Sequence, residues 1–303
     1  MRDHEAQNPH DKKGHLLAYF LIIITVFLWS VGVVIARSVH EQIPLIGLSF
    51  WRWLLAAFLL LPFVAKELIQ KVDIVRGNIR ILVTQGIFIV GSGALLFYAL
   101  NYTTVINATL LNATQPVITV TLAWLILHER LRPLQLAGIF SAVLGVFIMI
   151  ARADWHTVMN LEFNKGDLLV ILAIIGYALY AINIRKLPKG IGTFSALTVI
   201  LFAGSIFLLP FYIAETILVK PLSFDLLTLA IIFILAIVVS ILAMSMWNYS
   251  NHIVGPGRAA VFVNLLPVYG AVLAITFLGE ELFFYHLVGA VLVCAGIFLV
   301  IRH

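Results

Sequence analysis

Few side chains in this chain could do chemistry, and most of those that could sit inside long apolar runs. Arg52 is the most informative. It lies in the apolar run 45–65, roughly 10 Å along a helix from the nearer end at 1.5 Å per residue. A guanidinium at the centre of a membrane helix costs about 2.5–3.5 kcal/mol on insertion scales, and less near the ends. One reading is an anchor for an anion or carboxylate, which the bidentate fork of Arg matches. The other is snorkelling to the interface, or a structural bond to a carbonyl.

The second group is aromatic: Trp29, Tyr98, Tyr177, Tyr180 and Trp247. Tyr177 and Tyr180 are three apart and share a helix face. Meeting at depth, these rings would box a flat or cationic solute. Spread apart, they are interface belts and core packing. Trp51 and Trp53 lie near a helix end and read as interface anchors.

The third group is amides. Asn112 and Gln115 precede Pro116, and Asn264 precedes Pro267, with Asn183 and Asn248 elsewhere in the second half. An amide in lipid needs a partner, so these face the protein interior or a wet cavity. They contact a solute or bond helix to helix. Pro116 and Pro267 each free a backbone carbonyl and kink their helices, which makes them gating candidates. Glu129 and Glu280 sit at helix ends and read as charges that cap the following helix; a gating pair of Glu129 with Arg130 or Arg132 is the weaker reading.

No catalytic, metal or cofactor site is expected. No carboxylate falls in the middle of a run, and His128-Glu129-Arg130 is not a zinc motif. No phosphate-binding glycine loop is present, which argues against ATP-driven action by this chain. The four glycosylation-like tripeptides, such as Asn101-Tyr-Thr, read as chance. The single Cys294 lies in the last apolar run and reads as packing.

These groups need a scaffold, and composition names its class. The 303 residues are 62% hydrophobic and 11% charged, against ~25% charged in a soluble domain. Ten apolar runs are readable as helices: 16–36, 45–65, 79–100, 105–127, 134–151, 167–185, 194–214, 226–247, 256–278 and 283–301. Helices are required because lipid offers the backbone no hydrogen-bond partner. The first run lacks a small-residue cleavage site and reads as a retained span after a polar tail, 1–15. The net charge of +5 comes from short loops, so it sets topology rather than binding nucleic acid. With the N-terminus in the cytoplasm, fourteen of the 19 Lys and Arg fall inside, four outside, and Arg52 within a span. Both termini are then cytoplasmic, in an inner membrane.

The two halves repeat at a separation of 151 residues: Tyr98 with Tyr249, Ala108 with Ala259, Pro116 with Pro267, Glu129 with Glu280, Gly138 with Gly289, Gly145 with Gly296. Each half, 16–151 and 167–301, holds five spans, and the linker 152–166 lies outside. An odd number inverts the second copy, as in many secondary transporters. Gly138 and Gly145 share one helix face, as do Gly289 and Gly296. These faces serve tight packing within the chain or contact in a homodimer.

The sequence resembles the EamA-type family of the drug/metabolite transporter superfamily. The matching residues are Trp29-Ser30 and Gly32, Arg52, Tyr98-Ala-Leu, Pro116, Glu129-Arg-Leu, Gly138 and Gly145, with Pro267, Glu280, Leu282, Gly289 and Gly296 in the second copy. The resemblance implies ten helices, alternating access and a small metabolite or drug as cargo, often moved outward. The second copy has no basic partner for Arg52 near Thr198 to Ile200, so any role of Arg52 belongs to one half. The expectation is an efflux carrier for a small amphipathic solute such as an amino acid derivative. Its rivals are an importer of a vitamin-like or nucleotide-sugar-like solute, and a membrane interaction protein that transports nothing.

Overall fold

A computed structural model describes residues 9–127, 133–150, 164–254 and 262–301. The helices are α1 (Pro9–Ser38), α2 (Leu45–Gln70), the short α3 (Val72–Gly77), α4 (Ile79–Ala99), α5 (Val105–Asn112), α6 (Gln115–Leu127), α7 (Pro133–Ile150), α8 (Lys165–Asn183), α9 (Thr193–Leu218), α10 (Leu226–Ile234), α11 (Ala243–Val254), α12 (Leu266–Leu278) and α13 (Phe284–Ile301). There is no strand among the described residues. Six helical segments are long and apolar enough to cross a bilayer. The pair α5 and α6 is bent by 42° and is a seventh if counted as one span. Three further apolar helices are shorter, Pro133–Met149, Val263–Leu278 and Phe284–Leu299.

Local chemistry sets the ends. Thr104 accepts from the Asn107 N–H, Asn164 from Gly166 and Asp225 from Thr228, so α5, α8 and α10 have side-chain caps. Gly279 closes α12 in the left-handed region at φ 66°, where a side chain would be strained. The break between α5 and α6 falls at Ala113–Thr114, just before Pro116. Pro116 has no N–H to give the Asn112 carbonyl, so the helix restarts there. Pro267 likewise sits in the first turn of α12, after a 3-10 turn at Val263–Leu265. Sequence gave no sign of a π-helical stretch, Leu235–Leu242, between α10 and α11.

Two helix starts lack a cap of their own and receive one from far away. Neither Pro44 before α2 nor Gly192 before α9 offers a capping side chain. Glu215, near the end of α9, accepts from Ile46 N–H at 3.1 Å and Gly47 N–H at 2.7 Å. Glu67, near the end of α2, accepts from Gly192 N–H at 2.8 Å and from the Ser195 hydroxyl. So α2 and α9 run antiparallel, each holding the free N–H groups of the other. Glu280 does the same for α5, accepting from Val105 and Ile106 N–H at 2.8 and 3.0 Å. This corrects the expectation that it caps the helix after it. Glu129 lies outside the described residues.

The two halves of the chain interleave. α1 packs on α11 and α12, α2 on α9, α4 on both α8 and α9, α5 on α12, α6 on α8, and α7 on α13. The glycine faces meet each other. A Cβ on Gly145 would come within 2.7 Å of the Gly289 carbonyl oxygen, and one on Gly296 within 2.5 Å of that of Gly138. These faces thus pack against each other within one chain. Close backbone approach is why only glycine fits.

Candidate functional site

Arg52 does not snorkel. It is 3% exposed, and its guanidinium carbon lies 4.1 Å from the ring centroid of Trp53 and 4.6 Å from that of Phe97. Nη1 donates to the Ser240 hydroxyl at 3.3 Å. The site thus draws on α2, on Phe97 of α4 and on the π-helical stretch before α11. The extra residue per turn of a π-helix re-aims a side chain, and such stretches are frequent at functional sites. Tyr177 of α8 is close enough to interact electrostatically with the guanidinium. Two aromatic faces stabilise a desolvated cation by about 2 kcal/mol or more. That offsets part of the cost of burying it.

Gly93 leaves room for this arrangement, since a Cβ there would sit 3.2 Å from the Trp53 ring and 3.4 Å from Nη2. Trp53 is itself 5% exposed. It is the floor of the site and not an interface anchor, because the cation beside it draws its ring inward. Trp51 is half-buried and packs edge-on against Tyr212 and Phe224. Several polar atoms here have no hydrogen-bond partner among the described residues: Arg52 Nε, Trp53 Nε1 and Ser49 Oγ. A buried donor without an acceptor costs about 1–3 kcal/mol; with Trp51 Nε1 there are four within two turns of one helix, which mark a place built for something more than packing.

The aromatic set divides. Trp29 and Trp247 meet at 5.1 Å between centroids, tilted by 51°. Tyr98 instead pairs with Tyr102, hydroxyl to hydroxyl at 3.1 Å, at the end of α4. Tyr180 lends its backbone carbonyl to the Gln85 side chain at 3.2 Å, while Gln85 Oε1 has no partner among the described residues.

The amides also divide. Asn112 Oδ1 and Asn264 Oδ1 are buried without a partner among the described residues, each shortly before a proline, Pro116 or Pro267. Asn183 turns back on its own helix, donating to the Leu179 carbonyl at 2.9 Å. Gln115 opens α6 and Asn248 lies on α11, both half-buried. Sequence reasoning missed Ser240, Phe97 and Gln85. Serine and phenylalanine are unremarkable in apolar runs, and only folding brings them to Arg52.

The EamA-like transporter family profile matches residues 16–151 and again 164–302. A Bacillus subtilis protein, the uncharacterized transporter YyaM, is 28% identical over 82% of this chain and 81% of its own length. A Salmonella typhimurium protein named "Probable amino-acid metabolite efflux pump" is 29% identical over 92% of this chain and 93% of its own. An Escherichia coli protein of the same name is 25% identical over 92% and 93%. A crystal structure covers 95% of this chain and 96% of its own at TM-score 0.58 and 18% identity, a likeness of fold alone.

Proposed function

The chain belongs to the EamA-like transporter family and is a multi-pass membrane protein. From that premise we propose that it is a secondary transporter that exports a small amphipathic solute bearing a carboxylate, by alternating access between two inverted halves. The observation that carries this reading is Arg52: a buried guanidinium, floored by aromatic rings, with Nε unpaired among the described residues. A carboxylate accepts from two guanidinium donors at once, and the rings suit the apolar body of an amino acid derivative. The orphaned oxygens of Asn112 and Asn264 offer acceptors for an ammonium or amide group. The named activity of the Salmonella and Escherichia relatives supports both the cargo class and the outward direction.

Three features support ten spans in two halves, 16–151 and 167–301. The family profile matches twice. The six long segments, the bent pair and the three shorter apolar helices make ten. The packing is also symmetric under exchange. Swap α1 with α8, α2 with α9, α4 with α10–α11, α5–α6 with α12, and α7 with α13. The contact of α1 on α11 then becomes that of α8 on α4, and the contact of α2 on α9 maps onto itself. Glu67 and Glu215 exchange as well. The reading places both termini in the cytoplasm of a cell with this protein in its inner membrane, from the Lys and Arg bias.

The test is a proteoliposome loaded with amino acid derivatives, each paired with its neutral amide analogue. Arg52→Ala should slow the carboxylate by about 10- to 100-fold, the equivalent of one charge-assisted hydrogen bond of ~1.5–3 kcal/mol. The neutral analogue should slow far less. Equal loss of both makes Arg52 structural. Accumulation without efflux marks an importer, and no movement of any solute removes the transport claim.

A further inference from the structure

The surroundings of Arg52 are rich in hydrogen-bond donors and poor in acceptors. Among the described residues Arg52 makes one hydrogen bond, Nη1 to the Ser240 hydroxyl, and pairs with no Asp or Glu. The one titratable group in electrostatic reach is Tyr177. Two rings cover the guanidinium, Trp53 at 4.1 Å and Phe97 at 4.6 Å, so a ligand reaches it along the edge. The edge left over is Nε with Nη2, a fork that matches an oxyanion.

Two more donors stand on the same face of α2. Ser49, Arg52 and Trp53 fall within an arc of about 100° and within about 6 Å along the helix axis. Long helical side chains lean toward the N-terminus, over the residues three and four before them. Arg52 and Trp53 therefore both lean over Ser49. Ser49 is 0% exposed and Trp53 5%, and neither Ser49 Oγ nor Trp53 Nε1 has a partner among the described residues. Gly93 of α4 closes the opposite side. A Cβ there would lie 3.3 Å from Trp53 Nε1 and 3.4 Å from Arg52 Nη2. The indole N–H and the free guanidinium edge thus converge on one spot, which a side chain at 93 would crowd. Trp51, also unpaired, lies on the other side of the helix, where its ring meets Tyr212 and Phe224.

An indole N–H and a guanidinium only donate, and a serine hydroxyl carries no charge. The unpaired amide oxygens lie elsewhere. Gln85 is eight residues before Gly93, about 12 Å along α4. Asn112 and Asn264 belong to α5 and to the turn before α12, and neither element packs closely on α2. The carboxylates of the helices around Arg52 are engaged near helix ends. Glu67 and Glu215 hold the starts of α9 and α2. Asp167 is taken up by Thr103 and Asn107, which also meets His286. A positive charge next to a carboxylate bound at Arg52 would face a buried cation with no counter-charge.

Resting on Arg52 as the carboxylate anchor, we infer that Ser49 and Trp53 complete a niche of donors that takes an acid whose α-nitrogen is uncharged. The cargo class is then an N-acylated amino acid or a plain apolar carboxylic acid, and not a zwitterionic amino acid. One carboxylate oxygen sits on Nε and the other on Nη2, where the Trp53 N–H also reaches it. Ser49 donates from the turn beneath. No covalent bond is made or broken.

The test is equilibrium binding to the purified full chain in detergent, by titration calorimetry near pH 7. The probes are leucine, N-acetyl-leucine and the neutral N-acetyl-leucinamide. N-acetyl-leucine should bind at least about tenfold more tightly than leucine, the effect of one uncompensated like charge. It should exceed N-acetyl-leucinamide by a similar factor. Trp53→Phe keeps a ring over the cation but has no N–H, and should weaken N-acetyl-leucine about fivefold, as should Ser49→Ala, each the effect of one lost hydrogen bond. Trp124→Phe, at an exposed indole, should leave it unchanged. Leucine and N-acetyl-leucine binding equally, both abolished by Arg52→Ala, overturns the inference and leaves the carboxylate reading standing. Unchanged affinity in both Trp53→Phe and Ser49→Ala also overturns it, and where Trp53→Phe does not fold, Ser49→Ala decides. Binding of neither acid overturns the inference and the carboxylate reading together.

Discussion

Glu215→Ala tests the claim that one carboxylate caps a helix belonging to the other half of the chain. Glu215 is 6% exposed and accepts two backbone N–H bonds at the uncapped start of α2. Hydrogen bonds to a charged group contribute about 1.5–3 kcal/mol each. Water does not refill so buried a place, and Pro44 supplies no substitute acceptor. Removing both bonds should therefore cost about 3 kcal/mol or more. Glu215→Gln keeps one neutral acceptor and should cost about half as much, since neutral bonds are roughly half as strong as charge-assisted ones. Glu281→Gln, at an exposed side chain, should change stability by less than ~0.5 kcal/mol. The assay is reversible unfolding in mixed micelles of increasing SDS fraction. A Glu215→Ala protein as stable as Glu281→Gln would refute the cross-cap and the bracing of α2 by α9.

Two further outcomes are expected. Gly296→Ala would put a methyl 2.5 Å from the Gly138 carbonyl oxygen and 2.9 Å from Ala142 Cβ. It should lower stability by about 1–3 kcal/mol through overpacking, read in the same micelle assay; a neutral result would mean α7 and α13 are not in backbone contact. The Asp225 carboxyl is held below the usual carboxylate range, first by the Thr228 N–H and then by the Ser223 hydroxyl. Its stabilisation is therefore present above the unfolded-state value of ~3.9 and is lost as pH falls through the lower folded value. The thermal midpoint of the wild type should exceed that of Asp225→Ala near neutral pH, and the gap should close in strong acid. A gap independent of pH would refute the charged cap.

Much of the scaffold was legible because lipid leaves a helix few choices. The run expected at 79–100 is the helix Ile79–Ala99, and 134–151 is Pro133–Ile150. Pro116 flagged the break at Ala113–Thr114, since a missing N–H acts locally. Arg52 stood out for the same reason: a charge in an apolar run is rare and costly wherever it ends up. Trp53 was misread as an anchor because indoles near helix ends prefer interfaces; the cation one residue before it reversed that preference. Asp167 and His286 passed unnoticed, because a polar residue in the first turn of a span looks like a solvated end.

Chain order alone determined that the protein is helical and apolar, because hydropathy is a property of each segment by itself. Tertiary structure alone decided which groups meet. Glu215 and Ile46 are 169 residues apart, Arg52 and Ser240 are 188, and His286 and Asn107 are 179. A hydrogen bond depends on ångströms and angles, and no spacing rule extends across folded halves. The helices could be read one at a time, while the site exists only where they cross.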